Sequence, residues 1–511
     1  GNGWPPVQLE FYPELADAFD APPLLGRPTD TSITLNFSHL LPLDCYVAYG
    51  SAPGQYDFAQ GATRTAWPEV DPLCSTPADS AIEIELTELQ PDTRHFGRLF
   101  FRRAGRVDFE ALDEFSFHTA RPSGATFTFD ITADSHLEDR IDDHVYDDVA
   151  LYQVALENLV QDDPDFVIDL GDLAVTLEVA VGVQTAEEAR RIYQEQRQAL
   201  GRMSRPLPFY LALGNHEGEV GWLSYVSNDG IYPWSTRARL EYIPNPHPDA
   251  FYSGNPQPDP ELGPIEDYYA WEWGDALFVV LDPFRYTMTK PHQYGGGGSG
   301  NAWDWTLGQD QYEWLAAVLE KSNARWKFIF THHLVGGVRE AMWGHYGRGG
   351  IEAVRHRVAG NATYEWGGED EEGSPVFDKH RPGWDRGDIH SLLVEHEVAA
   401  VFHAHDHCYV MQQLDGIVYQ VCPLPNQANY GTGVCALGQY SQGVFENNSG
   451  HLRVTVAPEN VTVAYVRAYL PGEGPNGEVS QVYQLNAPGA VFPGPAAPAG
   501  PRLSLRPLPC S

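Results

Sequence analysis

The run Thr126-Phe127-Thr128-Phe129-Asp130-Ile131 leads, three residues later, into Asp134-Ser135-His136. Aromatic and β-branched residues without a turn former read as a buried strand, and a carboxylate and an imidazole just past its end read as chemistry held at the strand tip. Outward from this point the apolar spacing switches between two periods. Val145 to Val160 carries apolar residues at helical spacing, Asp165 to Leu170 is a strand, Ala186 to Leu200 a helix and Pro208 to Leu213 a strand. A βαβαβ series predicts an α/β domain, a layered mixed β-sheet sandwich flanked by helices. Further strands are expected at Tyr268 to Trp273, Leu277 to Leu281, Trp326 to Phe330, Val398 to Phe402 and Ile417 to Val421, with helices near Gln309 to Glu320 and Ile389 to Glu395. A hairpin, Leu452 to Val456 turning into Val461 to Val466, closes the domain.

Upstream the pattern is different. Between Pro23 and Thr119, short alternating segments such as Ser32 to Phe37, Cys45 to Tyr49, Ala81 to Leu86 and His95 to Arg102 predict an all-β sandwich. The turn Leu86-Thr87-Glu88-Leu89-Gln90-Pro91-Asp92-Thr93 resembles that of a fibronectin type III module. The expected division is therefore a β-sandwich over residues 1–122, an α/β domain over 123–485, and an irregular Pro/Ala/Gly-rich tail over 486–511. Glu217 to Glu266 and Val335 to Asp385, rich in Gly, Pro and Trp, resist assignment. Loops of that length inside a compact domain are usually functional, so they are read as rims around a site.

A net charge of -38, from 70 acidic against 32 basic residues, argues against nucleic acid or anionic membrane as a partner, because both need a positive footprint. The longest apolar runs, such as Ala276 to Leu281, fall far short of the ~20 residues that cross a bilayer. Gly1-Asn2-Gly3-Trp4 shows no leader, and a signal peptide is taken as already removed, with a secreted or periplasmic location expected. Six cysteines without CxxC spacing fit disulfides better than a zinc ribbon, with Cys45–Cys74 and Cys422–Cys435 as the expected pairs.

Metal-type side chains gather at the C-terminal ends of five expected strands: Asp134-Ser135-His136, Gly171-Asp172, Gly214-Asn215-His216-Glu217, His332-His333 and His403-Ala404-His405-Asp406-His407. In open α/β sheets ligands bind in the crevice beyond the carboxyl ends of strands, where residues distant in sequence can meet. The glycines before Asp172 and Asn215 suit a sharp turn beside an ion.

This ordered series resembles the calcineurin-like metallophosphoesterases, whose relatives include the purple acid phosphatases, often with an N-terminal β-sandwich. The resemblance runs from Phe127 to Val466. It implies that Asp134, His136 and His407 hold one metal, that Asn215, His332 and His405 hold another, and that Asp172 bridges both. Two divalent or mixed-valence ions (Zn, Mn or Fe) fit a donor set without thiolate. Such a pair acidifies a bound water and neutralises a phosphoryl group, so the implied activity is hydrolysis of a small-molecule phosphate ester by metal-activated hydroxide, with phosphomonoesters slightly favoured. His216 is implied to stabilise the transition state or protonate the leaving oxygen, and Glu217 and Asp169 to orient imidazoles from behind.

Three positions depart from the family pattern. Val175 stands where purple acid phosphatases carry their colour-giving tyrosine, Ala404 replaces a glycine, and Leu334 follows His333 where proline is common. The alternatives are a phosphodiesterase or phosphotriesterase on nucleotides or lipids, or a non-catalytic surface binding protein on the same scaffold. Oligomeric state is not legible in the sequence.

Overall fold

A computed structural model describes residues 19–61, 64–65, 80–103, 107–137, 148–176, 183–219, 230–283, 307–334, 349–355, 365–367, 384, 386–430, 440 and 442–486. Cys74, Cys435, Cys510, the glycine run 294–300, the tail beyond Asn486 and most of the stretch from Val335 to Asp385 lie outside the described residues.

The N-terminal region forms two antiparallel sheets. One runs in the order Phe19–Gly26, Ile33–His39, Ser80–Leu86, Arg64–Thr65. The other runs Phe58–Gly61, Leu43–Gly50, Arg94–Arg103, Glu110–Ala111, with Phe115–His118 also paired to Arg94–Arg103. Burial alternates along Arg94–Arg103, as it must in a strand with one wet face. Its inward residues Leu99 and Phe101 meet Leu35, Phe37, Ile84 and Phe117 in a core of their own.

Two mixed sheets follow. The first has the order Phe209–Leu211, Phe166–Asp169, Phe127–Thr132, Gly450–Val456, Asn460–Arg467, Val479–Asn486. The second has the order Ser253–Gly254, Tyr269–Trp273, Ala276–Val280, Trp326–Phe330, Ala400–His403, Ile417–Val421, Tyr409–Leu414, Val444–Glu446. Phe127–Thr132, Phe166–Asp169 and Phe209–Leu211 are parallel, and so are Ala276–Val280, Trp326–Phe330, Ala400–His403 and Ile417–Val421. Parallel strands are covered on both faces, which explains their near-continuous apolar runs. Between the sheets Phe127, Phe129 and Ile131 share one core with Phe278, Phe328, Phe330 and Phe402. The Phe129 ring meets Phe278 edge-on at 5.0 Å, and Trp271 stacks on Phe278 at 4.9 Å. Each ring buried here contributes roughly 2–3 kcal/mol by removal from water.

Local chemistry sets the helix ends. Thr185 caps Ala186–Leu200 by accepting from the Glu188 amide, and Glu188 accepts in turn from Gln184 at 2.7 Å. The first helix is Val149–Asp162, later at both ends than the apolar spacing suggests, because the Asp148 side chain caps it by accepting from Leu151 N. Several elements were not anticipated, among them the short segments Ser253–Gly254, Ile351–Arg355 and Val444–Glu446. Ile231–Tyr242 is a helix inside the unassigned stretch, Tyr409–Leu414 pairs beside Ile417–Val421, and Val479–Asn486 extends the expected closing hairpin to a third strand. The expected Cys422–Cys435 pairing is corrected: Cys422 is a buried free thiol with Sγ 3.6 Å from the Ile131 carbonyl. Cys45 is buried in the N-terminal core, and its expected partner lies outside the described residues.

Candidate metal centre

Backbone pairing carries the strands beyond their nominal ends and brings the tips together. Leu170 N donates to Thr132 O at 2.9 Å and Asp134 N to Gly171 O at 2.9 Å. In the other sheet Thr331 N donates to Phe402 O at 3.1 Å and Ala404 N to His332 O at 2.6 Å. Between the sheets, His405 N donates to Asp134 Oδ2 at 3.0 Å, and His332 Nδ1 lies 2.8 Å from Leu170 O.

At these tips the chain turns sharply. Asp134, His136, Asp172, His405 and His407 all have positive φ, between 45° and 71°. Non-glycine residues rarely adopt this conformation, and its clustering on five metal-type side chains is strain held where chemistry would use it. Gly171, at φ +97°, and Gly214 pass so closely that a Cβ on either would strike the other's surroundings. Positive φ therefore explains the first glycine, and close approach the second.

All eight residues singled out in the sequence meet here. Asp134, His136 and His407 offer ligand atoms within 4.8 Å of one another, as do Asp172, His332 and His405. The two groups join through Asp172 Oδ2, which lies 3.4 Å from His136 Nε2 and 3.1 Å from His332 Nε2. His332 Nε2 is also 3.1 Å from Asn215 Oδ1 and 3.2 Å from His405 Nδ1. His407 Nε2 lies 3.6 Å from Asp134 Oδ1. A ring nitrogen of His216 is within 4.8 Å of ligand atoms on His136 and Asp172.

The donors fit metal ions. Two atoms each about 2.1 Å from one ion are roughly 3.0–3.5 Å apart, which matches several of these separations. Asp134 Oδ1 and Asp172 Oδ2 are buried and face only imidazole nitrogens, at 3.1 to 3.9 Å, while their sister oxygens are taken by the amides of His405 and His216. Buried carboxylate oxygens are costly unless positive charge meets them.

The electrostatics point the same way. Burial alone would lower the pKa of His136, but hydrogen bonding and charge from Asp134 and Asp172 carry it up to about 10. His332 is likewise carried against burial to about 9, chiefly by Asp172. Burial would raise Asp172, yet the His332 and His216 charges and hydrogen bonds from His136 and His332 hold it well below the usual carboxylate range. This pocket wants positive charge.

Glu217 and Asp169 are corrected from their expected role. Neither bonds to an imidazole. Glu217 Oε1 accepts from Leu173 N at 2.8 Å and Ala174 N at 3.1 Å, and its Oε2 from Asp172 N at 3.0 Å and Gly214 N at 2.6 Å. Asp169 Oδ1 accepts from Gly171 N at 2.9 Å. Both shape the turns that carry ligands. Asp406, between His405 and His407, faces away and accepts from Gly349 N at 2.9 Å and from the Tyr440 hydroxyl. His403 is buried, and burial followed by the nearby His332 charge lowers its pKa to about 3, so it is neutral. The Leu170 carbonyl was invisible to sequence reasoning, since any residue supplies one.

The family model for the calcineurin-like phosphoesterases matches residues 127–409, and the chain belongs to that family. Among solved structures, the purple acid phosphatase PPD1 from yellow lupin (Lupinus luteus) seeds is similar in fold, with a TM-score of 0.54 and 15% identity over 91% of this chain and 74% of the lupin chain. GAP50, the anchor in the inner membrane complex of Plasmodium, is similar over 71% of this chain and 89% of its own, with a TM-score of 0.38 and 12% identity. No curated protein matches the sequence. Family and site together support metal-dependent hydrolysis of phosphate esters. None of the helices among the described residues is long and apolar enough to cross a membrane.

Proposed function

We propose that the chain is a dinuclear phosphomonoesterase in which Asp134, His136 and His407 hold one ion, Asn215, His332 and His405 hold the other, and Asp172 bridges them. The observation that carries this reading is the position of Asp172 Oδ2, 3.4 Å from His136 Nε2 and 3.1 Å from His332 Nε2. With Oδ1 occupied by the His216 amide at 2.8 Å, Oδ2 is the oxygen of Asp172 left to meet a cation. Bound ions of the Zn, Mn or Fe class would supply charge for the phosphoryl oxygens and acidify a water.

The chain's own groups do the rest. Leu170 O fixes the His332 ring so that Nε2 faces the cluster. Glu217 holds the turn that delivers Asp172. His216 is only half-buried, so its ring can reach a substrate and give a proton to the leaving oxygen. A net charge of -38 repels anions at long range, which leaves local cations to hold a small phosphate ester.

A division at residue 122 is part of the proposal, supported by the separate N-terminal core. So is a secreted or periplasmic location, supported by the disulfide-bonded Cys408. The test compares rates on aryl phosphate mono-, di- and triesters, with metal content measured alongside. The monoester should give the highest kcat/KM. A faster diester would move the substrate class, and a metal-loaded chain inert on all three would leave a binding protein.

A further inference from the structure

Away from the strand tips, a second group of metal-type side chains meets on the outer face of the first sheet. Asp130 on Phe127–Thr132 lies opposite Arg453 on Gly450–Val456. His451, two residues before Arg453, shares that face of the pleat. Asp162, the last residue of the helix Val149–Asp162, comes down onto the same spot. His451 Nε2 is 2.9 Å from Asp162 Oδ2 and 3.9 Å from Asp130 Oδ2, and the three ligand atoms lie within 4.8 Å of one another.

Asp130 is the group that needs explaining. It is 0% exposed, and neither of its oxygens has a hydrogen-bond partner. Arg453 does not serve it in this way, since its Nη1 is committed to Asp162 Oδ1 at 2.6 Å. Burial, then the Asp162 charge, pushes the Asp130 carboxyl well above its ordinary range, against a smaller pull from Arg453. At a helix C-terminus, whose carbonyls add partial negative charge, Asp162 takes both basic neighbours, His451 at 2.9 Å and Arg453 at 2.6 Å. A cation between Asp130 and His451 would give Asp130 the partner it lacks.

We propose that Asp130, Asp162 and His451 form a structural cation site, separate from the strand-tip cluster, that takes a divalent transition-metal ion of the Zn²⁺ class. An imidazole beside two carboxylates selects such ions over Ca²⁺ and Mg²⁺, which prefer all-oxygen shells. Shifts of a few tenths of an ångström bring the three atoms to bonds of roughly 2.0–2.2 Å around one point. The ion clamps the end of Val149–Asp162 onto two neighbouring strands, one of which carries Asp134 four residues further on.

The chelator-stripped chain is titrated with Zn²⁺ alone, and bound zinc is counted by mass spectrometry for wild type, Asp130→Asn and His451→Gln. Each variant should hold one equivalent fewer than wild type and keep aryl phosphate turnover. Retention of the wild-type count by either variant overturns the site. Anomalous diffraction at the zinc edge on wild-type crystals guards against misfolded variants: a peak between Asp130 Oδ2 and His451 Nε2 is expected, and a flat map there leaves a proton on Asp130 as the neutralising species and ends the proposal. Asp172→Asn, which acts on the other cluster, should leave that peak in place, so the two metal readings fail separately.

Discussion

The amide of His405 donates a 3.0 Å hydrogen bond to Oδ2 of Asp134, tying the tips of the two sheets across 271 residues of chain. The same carboxylate turns its other oxygen, Oδ1, toward His407 Nε2 at 3.6 Å. One side chain thus joins the sheets and faces the candidate ions. Asp134→Asn keeps an acceptor for the amide but loses the charge, so it should lower metal content with little change in thermal midpoint. Asp134→Ala loses both and should cost about 1–3 kcal/mol of stability besides. Metal analysis with thermal unfolding reads the difference, and equal midpoints for the two variants would remove the tie from the account.

Glu217 is a backbone holder in a place where an imidazole-orienting acid was expected. It gathers amides at 172, 173, 174 and 214, and burial followed by the Asp172 charge raises its pKa to about 7. In Glu217→Gln the new NH₂ would point at amide donors, leaving them unsatisfied in a dry pocket at a cost of about 3 kcal/mol. Metal loading should weaken as well, because the turn under Asp172 loosens. A variant that unfolds at the wild-type denaturant midpoint would contradict this.

What the sequence made legible follows from what leaves a pattern in it. Trp326–Phe330 and Ile417–Val421 appear where their β-rich apolar runs predict them, and Ala186–Leu200 and Ile389–Glu395 begin after Thr185 and Asp388, whose side chains cap them. Ile231–Tyr242 was missed because Pro233 sits in its first turn and Arg239, a charge, occupies a core position, held by Glu219 at 2.6 Å. At the site, ligand-type side chains announce themselves by kind and by position after a strand. The Leu170 carbonyl and the Glu217 amide partners do not, since a backbone group carries no residue signature and three of the four amides that Glu217 gathers lie 43 to 45 residues away.

The raised imidazoles set a pH dependence for metal uptake. In the metal-free chain His136 and His332, with pKa values of about 10 and about 9, are protonated at neutral pH. A ring nitrogen must lose its proton to bind an ion, so affinity should climb with pH until those values are passed. Both folded values lie above the ordinary histidine value of about 6.5, so their contribution to metal-free stability is complete below that pH and fades as pH rises through 9 to 10. Calorimetric zinc titration at pH 7 in buffers of different ionisation heat should report up to two protons released. Buffer-independent heats would show that neither ring carried one.

Gly214 offers the sharpest test of whether the turns, rather than the ligand side chains alone, define the site. A Cβ there would collide with Oδ1 and the amide of Asp172 and come within 2.7 Å of Glu217 Oε2. None of these atoms belongs to a flexible chain end: the Asp172 carboxylate is pinned by the His216 amide at 2.8 Å, and Glu217 by four amides. Gly214→Ala therefore has to displace Asp172, although it touches no ligand chemically and removes no charge. The expected result is a folded chain with metal content reduced by at least one equivalent and turnover of an aryl phosphate lost with it, restored in part by excess Zn²⁺. Full activity at wild-type metal content would mean that Asp172 can move by more than an ångström without consequence, and its proposed place between two ions would then be untenable.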